Sequence, residues 1–146
     1  MGSILHTIGA SGKSLRQFAG LLRGAGVDAV VDVRLRNTSQ LAGWSKRDDL
    51  AYGLELLGVE YEHRPELGPS DRLLDAFQRG LGFDEYAPAY RALIAERGVL
   101  PEALARLGRY QRPVLLCACP TPDRCHRRLL AEALAELDPG LRVRHL

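Results

Sequence analysis

The feature that most constrains this chain is its opening alternation of strand, helix and strand. Residues 4–8 form a short β-like run that ends at Gly9. Ser14-Leu15-Arg16-Gln17 then reads as a capping box, and Leu15, Phe18, Leu21 and Leu22 recur at the spacing of one helix face. Gly24 and Gly26 stop that helix. Residues 28–33 follow as a β-branched run with Val30, Val31 and Val33, the composition of a strand covered on both faces. Two strands joined by a helix in this way favour a parallel sheet with a right-handed crossover.

Residues 36–46 lack periodicity and read as a loop carrying the only tryptophan, Trp44. Ser45-Lys46-Arg47-Asp48 is a helix start followed by Leu50, Leu54 and Leu57, with a stop at Gly58. Residues 59–63 alternate as a third strand, closed by the turn Pro65-Glu66-Leu67-Gly68-Pro69. Between residues 70 and 110 no strand is apparent, and helical stretches at 73–77, 86–94 and 101–107 are separated by glycines. Residues 113–117 are a fourth strand and 142–146 a short fifth. The expectation is one α/β domain over residues 1–146. It is compact and three-layered, with a mostly parallel sheet of about five strands and a helical insertion before the fourth.

A chain of 146 residues is long enough to bury a core without staples. Hydrophobic content of 46% and charged content of 26% are ordinary for a soluble protein, and a net charge of +2 makes no electrostatic argument for nucleic acid. No apolar run reaches membrane-spanning length, so no membrane partner is expected. Three cysteines cannot all pair internally, which points to a reduced, cytoplasmic setting.

The chemistry gathers at strand ends. The first strand ends in Thr7-Ile8-Gly9-Ala10-Ser11, the second in Asp32-Val33-Arg34, the third in His63-Arg64-Pro65-Glu66. The fourth runs into Cys117-Ala118-Cys119-Pro120-Thr121-Pro122-Asp123-Arg124-Cys125-His126-Arg127-Arg128, which holds all three cysteines. In a parallel sheet these ends share one edge, where α/β proteins bind ligands. Thr121-Pro122-Asp123 reads as a helix start, so backbone N–H groups there, with Arg124, Arg127 or Arg128, are suited to an anion. The same field would depress the Cys125 thiol and make it a nucleophile. Asp32 and Glu66 are the carboxylates suited to proton transfer, and Arg34 and Arg64 to anionic oxygens. Zinc is a separate possibility, with Cys117, Cys119, Cys125 and His126 as ligands. Against it, the spacing is not that of a usual finger, and a C-x-C pair in a strand points both side chains one way. His6 and His145 read as core or edge histidines, and Trp44, Tyr86 and Tyr90 as core aromatics before pocket walls.

Together these segments resemble the bacterial and archaeal domain-of-unknown-function family 488. The likeness runs through Thr7-Ile8-Gly9 with Ser11, Asp32-Val33-Arg34, Gly58-Val59-Glu60-Tyr61 with His63-Arg64-Pro65-Glu66-Leu67-Gly68, Leu115-Leu116-Cys117-Ala118 and Cys125-His126-Arg127. The resemblance implies a compact three-layer α/β fold and no particular activity. Family members commonly carry histidine or another large polar residue where this chain has Ala10, and an acidic residue where it has Cys119.

The leading expectation is a small cytoplasmic enzyme that binds a phosphate-bearing or nucleotide-like substrate in a crevice at the C-terminal strand ends. Asp32, Glu66, Cys125 and His126 are its candidate catalytic groups, and Ser11, Arg34, Arg64, Cys117 and Arg127 its candidate binding groups. A second reading is a non-catalytic module for nucleotide or nucleic acid, although no helix-turn-helix, basic stripe or aromatic RNA-binding motif is present. A third is a metal or redox-thiol site at the cysteines and His126.

Overall fold

The computed structural model describes residues 3–38 and 43–146; the part of the expected loop at 39–42 lies outside them. Strand β1 spans Ser3–Gly9 and is followed by α1 (Leu15–Ala25), β2 (Ala29–Asp32), α2 (Arg47–Leu56) and β3 (Glu60–His63). Three helices come next, α3 (Asp71–Gln78), α4 (Phe83–Arg97) and α5 (Leu100–Leu107). The chain closes with β4 (Pro113–Cys117), α6 (His126–Leu137) and β5 (Leu141–His145). The five strands form one sheet in the order β3-β2-β4-β1-β5. Every pairing is parallel.

Local chemistry explains most boundaries. Ser14 caps α1, its hydroxyl accepting from the Gln17 N–H at 3.1 Å while Gln17 reaches back to the Ser14 N–H at 2.8 Å. Gly26 ends the same helix at φ 67°, a left-handed conformation that a side chain resists. Of the expected apolar face, Phe18 and Leu22 are buried, whereas Leu15 and Leu21 remain exposed. Ser70 caps α3 through the Leu73 N–H.

Two apolar layers sandwich the sheet. On one face Phe18, Leu22, Leu50 and Leu54 from α1 and α2 meet Ile8, Val30, Val114 and Leu116. On the other, Tyr90, Ile94, Leu107, Leu130 and Leu134 from the later helices meet Leu5, Val31 and Leu115. Strand β4 lies at the centre, with Val114, Leu115 and Leu116 fully buried, each worth roughly 1.5–3 kcal/mol of transfer free energy. Its side chains alternate between the two layers, as the period of two in a strand requires. The aromatics follow the core expectation in part. Trp44 packs on Phe18 at 4.7 Å between ring centroids, and Tyr90 is buried with its hydroxyl donating to the Leu67 carbonyl at 2.6 Å.

Most boundaries shift by a few residues, and one shift bears on the site. The last helix begins at His126, not near Thr121, and Cys125 occupies the cap position in extended conformation without a side-chain cap bond. The segment before it is a turn held from outside: Arg128 donates to the carbonyls of Pro122 and Asp123, both at 3.2 Å. Those carbonyls are thereby turned toward a side chain instead of accepting the helical N–H groups four residues on.

Candidate functional site

The parallel register brings the strand ends into line, with Gly9 opposite Cys117 and Asp32 opposite Leu116. Helices α1 and α2, which follow β1 and β2, pack on one face of the sheet, whereas α6, which follows β4, packs on the other. Strand β4 is thus flanked by strands whose connections run the opposite way, the arrangement that opens a crevice at the C-terminal edge of a parallel sheet. A cavity of about 570 Å³ lies there. Cys117, Cys119, Cys125 and His126 line it from the β4–α6 side, Arg34 and Arg36 from the segment after β2, and Phe77 and Tyr86 from α3 and α4.

Arg34 is the polar anchor. Its guanidinium grips Asp32 along two edges, Nε to Oδ1 at 2.8 Å and Nη2 to Oδ2 at 2.7 Å, and both side chains are buried. Asp32 also accepts from the Arg34 backbone N–H at 3.1 Å, the Asn37 amide at 3.1 Å and the Tyr61 hydroxyl at 2.7 Å. Burial alone would raise the Asp32 pKa; the hydrogen bonds and charge of Arg34, with Tyr61 and Asn37, outweigh it and hold the carboxyl below its usual range. The Tyr61 hydroxyl is pushed up by burial and by the Asp32 charge, so it stays a donor. With its oxygens this fully engaged, Asp32 positions Arg34 and is not a free base. The third guanidinium nitrogen, Nη1, is buried and has no hydrogen-bond partner among the described residues.

The thiols and His126 form the other half. His126 Nε2 lies 2.9 Å from the Val33 carbonyl, which only accepts, so this nitrogen carries the ring proton. Nδ1 is then the nitrogen presented to Cys117 Sγ at 3.6 Å. Burial pushes the His126 pKa down, against the hydrogen bond to Val33, and keeps the ring neutral. Cys117, Cys125 and His126 place their ligand atoms within 4.8 Å of one another, and all three are buried. None of the three cysteines is in a disulfide among the described residues.

Arg127 stands behind this group, fully buried. It donates to Thr7 Oγ1 at 3.2 Å, to the Cys119 carbonyl at 2.8 Å and to Cys125 Sγ at 3.7 Å. Among the described residues it forms no ion pair, and its Nη2 has no partner. A buried cation without a counter-ion favours an anion nearby. Hydrogen bonds from Cys119 and Cys125 hold the Cys117 thiol well below its ordinary range despite burial, and Arg127 adds to the effect. Cys119 is pushed up to about 11 chiefly by its bond to Cys117, and Cys125 is raised for the same reason and by burial. The expectation that Cys125 is the acidified thiol is therefore corrected. It sits at the helix cap, yet its thiol is pushed up by the neighbouring Cys117 and by burial.

Other candidates lie apart. Arg64 pairs with Glu66 at 2.8 Å and also contacts Glu62 and Glu102, and neither Arg64 nor Glu66 lines the cavity. Ser11 is exposed, its N–H donating to the Ala118 carbonyl at 2.9 Å, and it borders a separate depression with Lys13 and Pro120. Ala10 is buried in the apolar layer with Ile8 and Phe18. His6 is a buried β1 residue whose Nδ1 lacks a partner among the described residues, so it is not a satisfied core histidine. His145 Nδ1 meets Thr7 Oγ1 at 2.5 Å. The sequence reading missed Asn37 and Phe77 as site residues. The amphipathic pattern of α3 signals Phe77, whereas nothing in the spacing signals Asn37.

No curated protein and no solved structure matches the chain. A family model, domain of unknown function DUF488, matches residues 14–134. The match takes in β2, β4, the Cys117–His126 cluster and the Asp32–Arg34 pair, and the chain belongs to the DUF488 family.

Proposed function

We propose that the cavity is the active site of a small cytoplasmic enzyme acting on a phosphate-bearing or nucleotide-like substrate. The observation that carries this reading is Arg34, a buried guanidinium fixed along two edges by Asp32 with its remaining nitrogen unpartnered among the described residues. Holding an arginine this rigidly removes the entropy cost of ordering it around an anionic oxygen. Arg124 lines the same cavity from the rim and stacks over Phe77 at 5.9 Å. Phe77 and Tyr86 offer a flat apolar wall to the remainder of such a ligand. The Cys117–His126 group supplies the reactive chemistry, and Asp32 keeps Arg34 in place. The cytoplasmic setting is supported by three unpaired thiols and by the absence, among the described residues, of any helix long and apolar enough to cross a membrane.

The test is calorimetric titration with inorganic phosphate and a panel of nucleotides, followed by product analysis for any that bind. Binding that weakens roughly tenfold to a hundredfold in Arg124→Ala, a rim substitution that leaves the fold intact, supports the reading. Binding without turnover would make the protein a ligand-binding module. No binding of any anion would sink both.

A further inference from the structure

We propose that Cys117, Cys125 and His126 bind a zinc-class divalent ion, with the fourth coordination position open to the cavity. The donor set is two sulfurs and one imidazole nitrogen, the chemistry that selects zinc among the common divalent ions. One ligand spacing also fits. Zinc–sulfur and zinc–nitrogen bonds of ordinary length, at a tetrahedral angle, put the two ligand atoms about 3.6 Å apart. Cys117 Sγ and His126 Nδ1 are 3.6 Å apart.

The His126 ring is oriented as a metal ligand requires. Its far nitrogen is tied to the Val33 carbonyl at 2.9 Å, which fixes the tautomer and turns the Nδ1 lone pair onto the thiols. A backbone carbonyl in that role is the usual outer partner of a ligating histidine. Arg127 Nη1, at 3.7 Å from Cys125 Sγ, supplies the N–H donor that thiolate ligands accept.

Charge closes the argument. Two thiolates neutralise a divalent ion, so the centre itself leaves the buried Arg127 cation unmatched. An anionic oxygen in the fourth position, from hydroxide or substrate, would match it. Cys119 stands outside the compact group of three and is partly exposed. It lines the cavity wall, and the proposal leaves it out of the ligand set. The use of the open position by substrate rests on the enzyme reading above; the metal site itself does not.

The experiment is elemental analysis of protein purified without chelator, followed by chelation and titration of the apo-protein with cobalt(II). The expected result is about one zinc per chain, and a cobalt form with thiolate charge-transfer bands and the intense visible bands of tetrahedral geometry. Cys119→Ser should keep both, whereas Cys125→Ser should lower cobalt affinity at least a hundredfold. Should Cys125→Ser fail to fold, the wild-type cobalt spectrum, compared with that of Cys119→Ser, still shows whether two thiolates bind without Cys119. Metal-free protein whose folded apo form takes up no cobalt overturns the proposal. Loss of metal in Cys119→Ser overturns the open position by making the centre a closed four-ligand one. Phosphate titration separates this proposal from the enzyme reading. Anion binding by metal-free wild type leaves the pocket standing without the metal, and zinc in a protein that binds no anion does the reverse.

Discussion

Asp32 and Arg34 share one buried, two-edged ion pair at the end of a strand, and the pair is completed from β3 by the Tyr61 hydroxyl at 2.7 Å from Asp32 Oδ2. A pair of this kind adds little over apolar packing while intact, yet it is costly to break from one side. Asp32→Asn leaves Arg34 charged and buried, and should cost about 3–5 kcal/mol in urea denaturation. Tyr61→Phe removes one donor to the carboxylate and should cost about 1.5–3 kcal/mol in the same assay.

The pair also fixes an acid limit. Because the Asp32 pKa is lower in the folded protein than in the unfolded chain, its contribution is fully present above the unfolded value of 3.8. It is lost as pH falls through the folded value below that. Glu62, bonded by Tyr110 and Arg106, shifts in the same direction against burial and adds to the loss. Thermal melts from pH 6 down to pH 2 should therefore show a fall in Tm concentrated below about pH 4. A flat profile in wild type would contradict this account of Asp32.

Arg127 predicts an opposition between stability and binding. Its charge is buried without an ion-pair partner among the described residues, so Arg127→Met removes a desolvated cation while losing the bonds to Thr7 and Cys119. The two effects offset, and unfolding free energy should change by no more than about 1 kcal/mol. Affinity for inorganic phosphate, measured by calorimetry, should fall with the lost charge. A loss of stability above about 3 kcal/mol would contradict this offset.

Gly9 sets how closely β1 approaches the cysteine loop. A methyl group built there would lie 1.7 Å from the Cys119 carbonyl oxygen and 2.8 Å from Arg127 Nη1. The first of these is backbone and cannot swing aside. Gly9→Ala should cost about 3 kcal/mol or more, read from urea denaturation, and should displace the loop between β4 and α6. Gly12→Ala is a useful contrast, since its φ of 78° strains the backbone but nothing lies within 4 Å of the added group. It should cost about 1 kcal/mol.

The sequence carried the frame of this molecule because the frame is written in local signals. The Ser14 capping box, the valines of β2 and the apolar run of β4 each specify an element within a few residues. The site was legible only in part, because its geometry depends on strand order. Arg64 and Glu66 follow β3, which lies at the sheet edge beyond β2, so Arg64 meets Glu66 and Glu62 of its own edge and Glu102 of α5. Spacing along the chain carries no trace of that order. Nor does it show which thiol is acidified: Cys125 has the sequence of a helix-cap nucleophile, and only the three-dimensional turn sets it beside Cys117, whose thiol is the one held down. Asp32, which ends β2, and Arg34, two residues on, were readable as a pair, whereas Tyr61 joined them only through the β2–β3 register.

Strand β4 is inserted between β1 and β2, which do not pair with each other. A chain that has not yet reached residue 113 therefore has only the β2–β3 pairing of the native sheet open to it and no native neighbour for β1. The late strand that joins the halves is also the one that delivers Cys117, and it is followed directly by the helix that delivers His126. Such long-range closure makes folding slow relative to local pairing. It also means that a truncated or half-folded chain lacks both the sheet and the cysteine cluster, so the reactive groups come together only in a molecule that has finished folding.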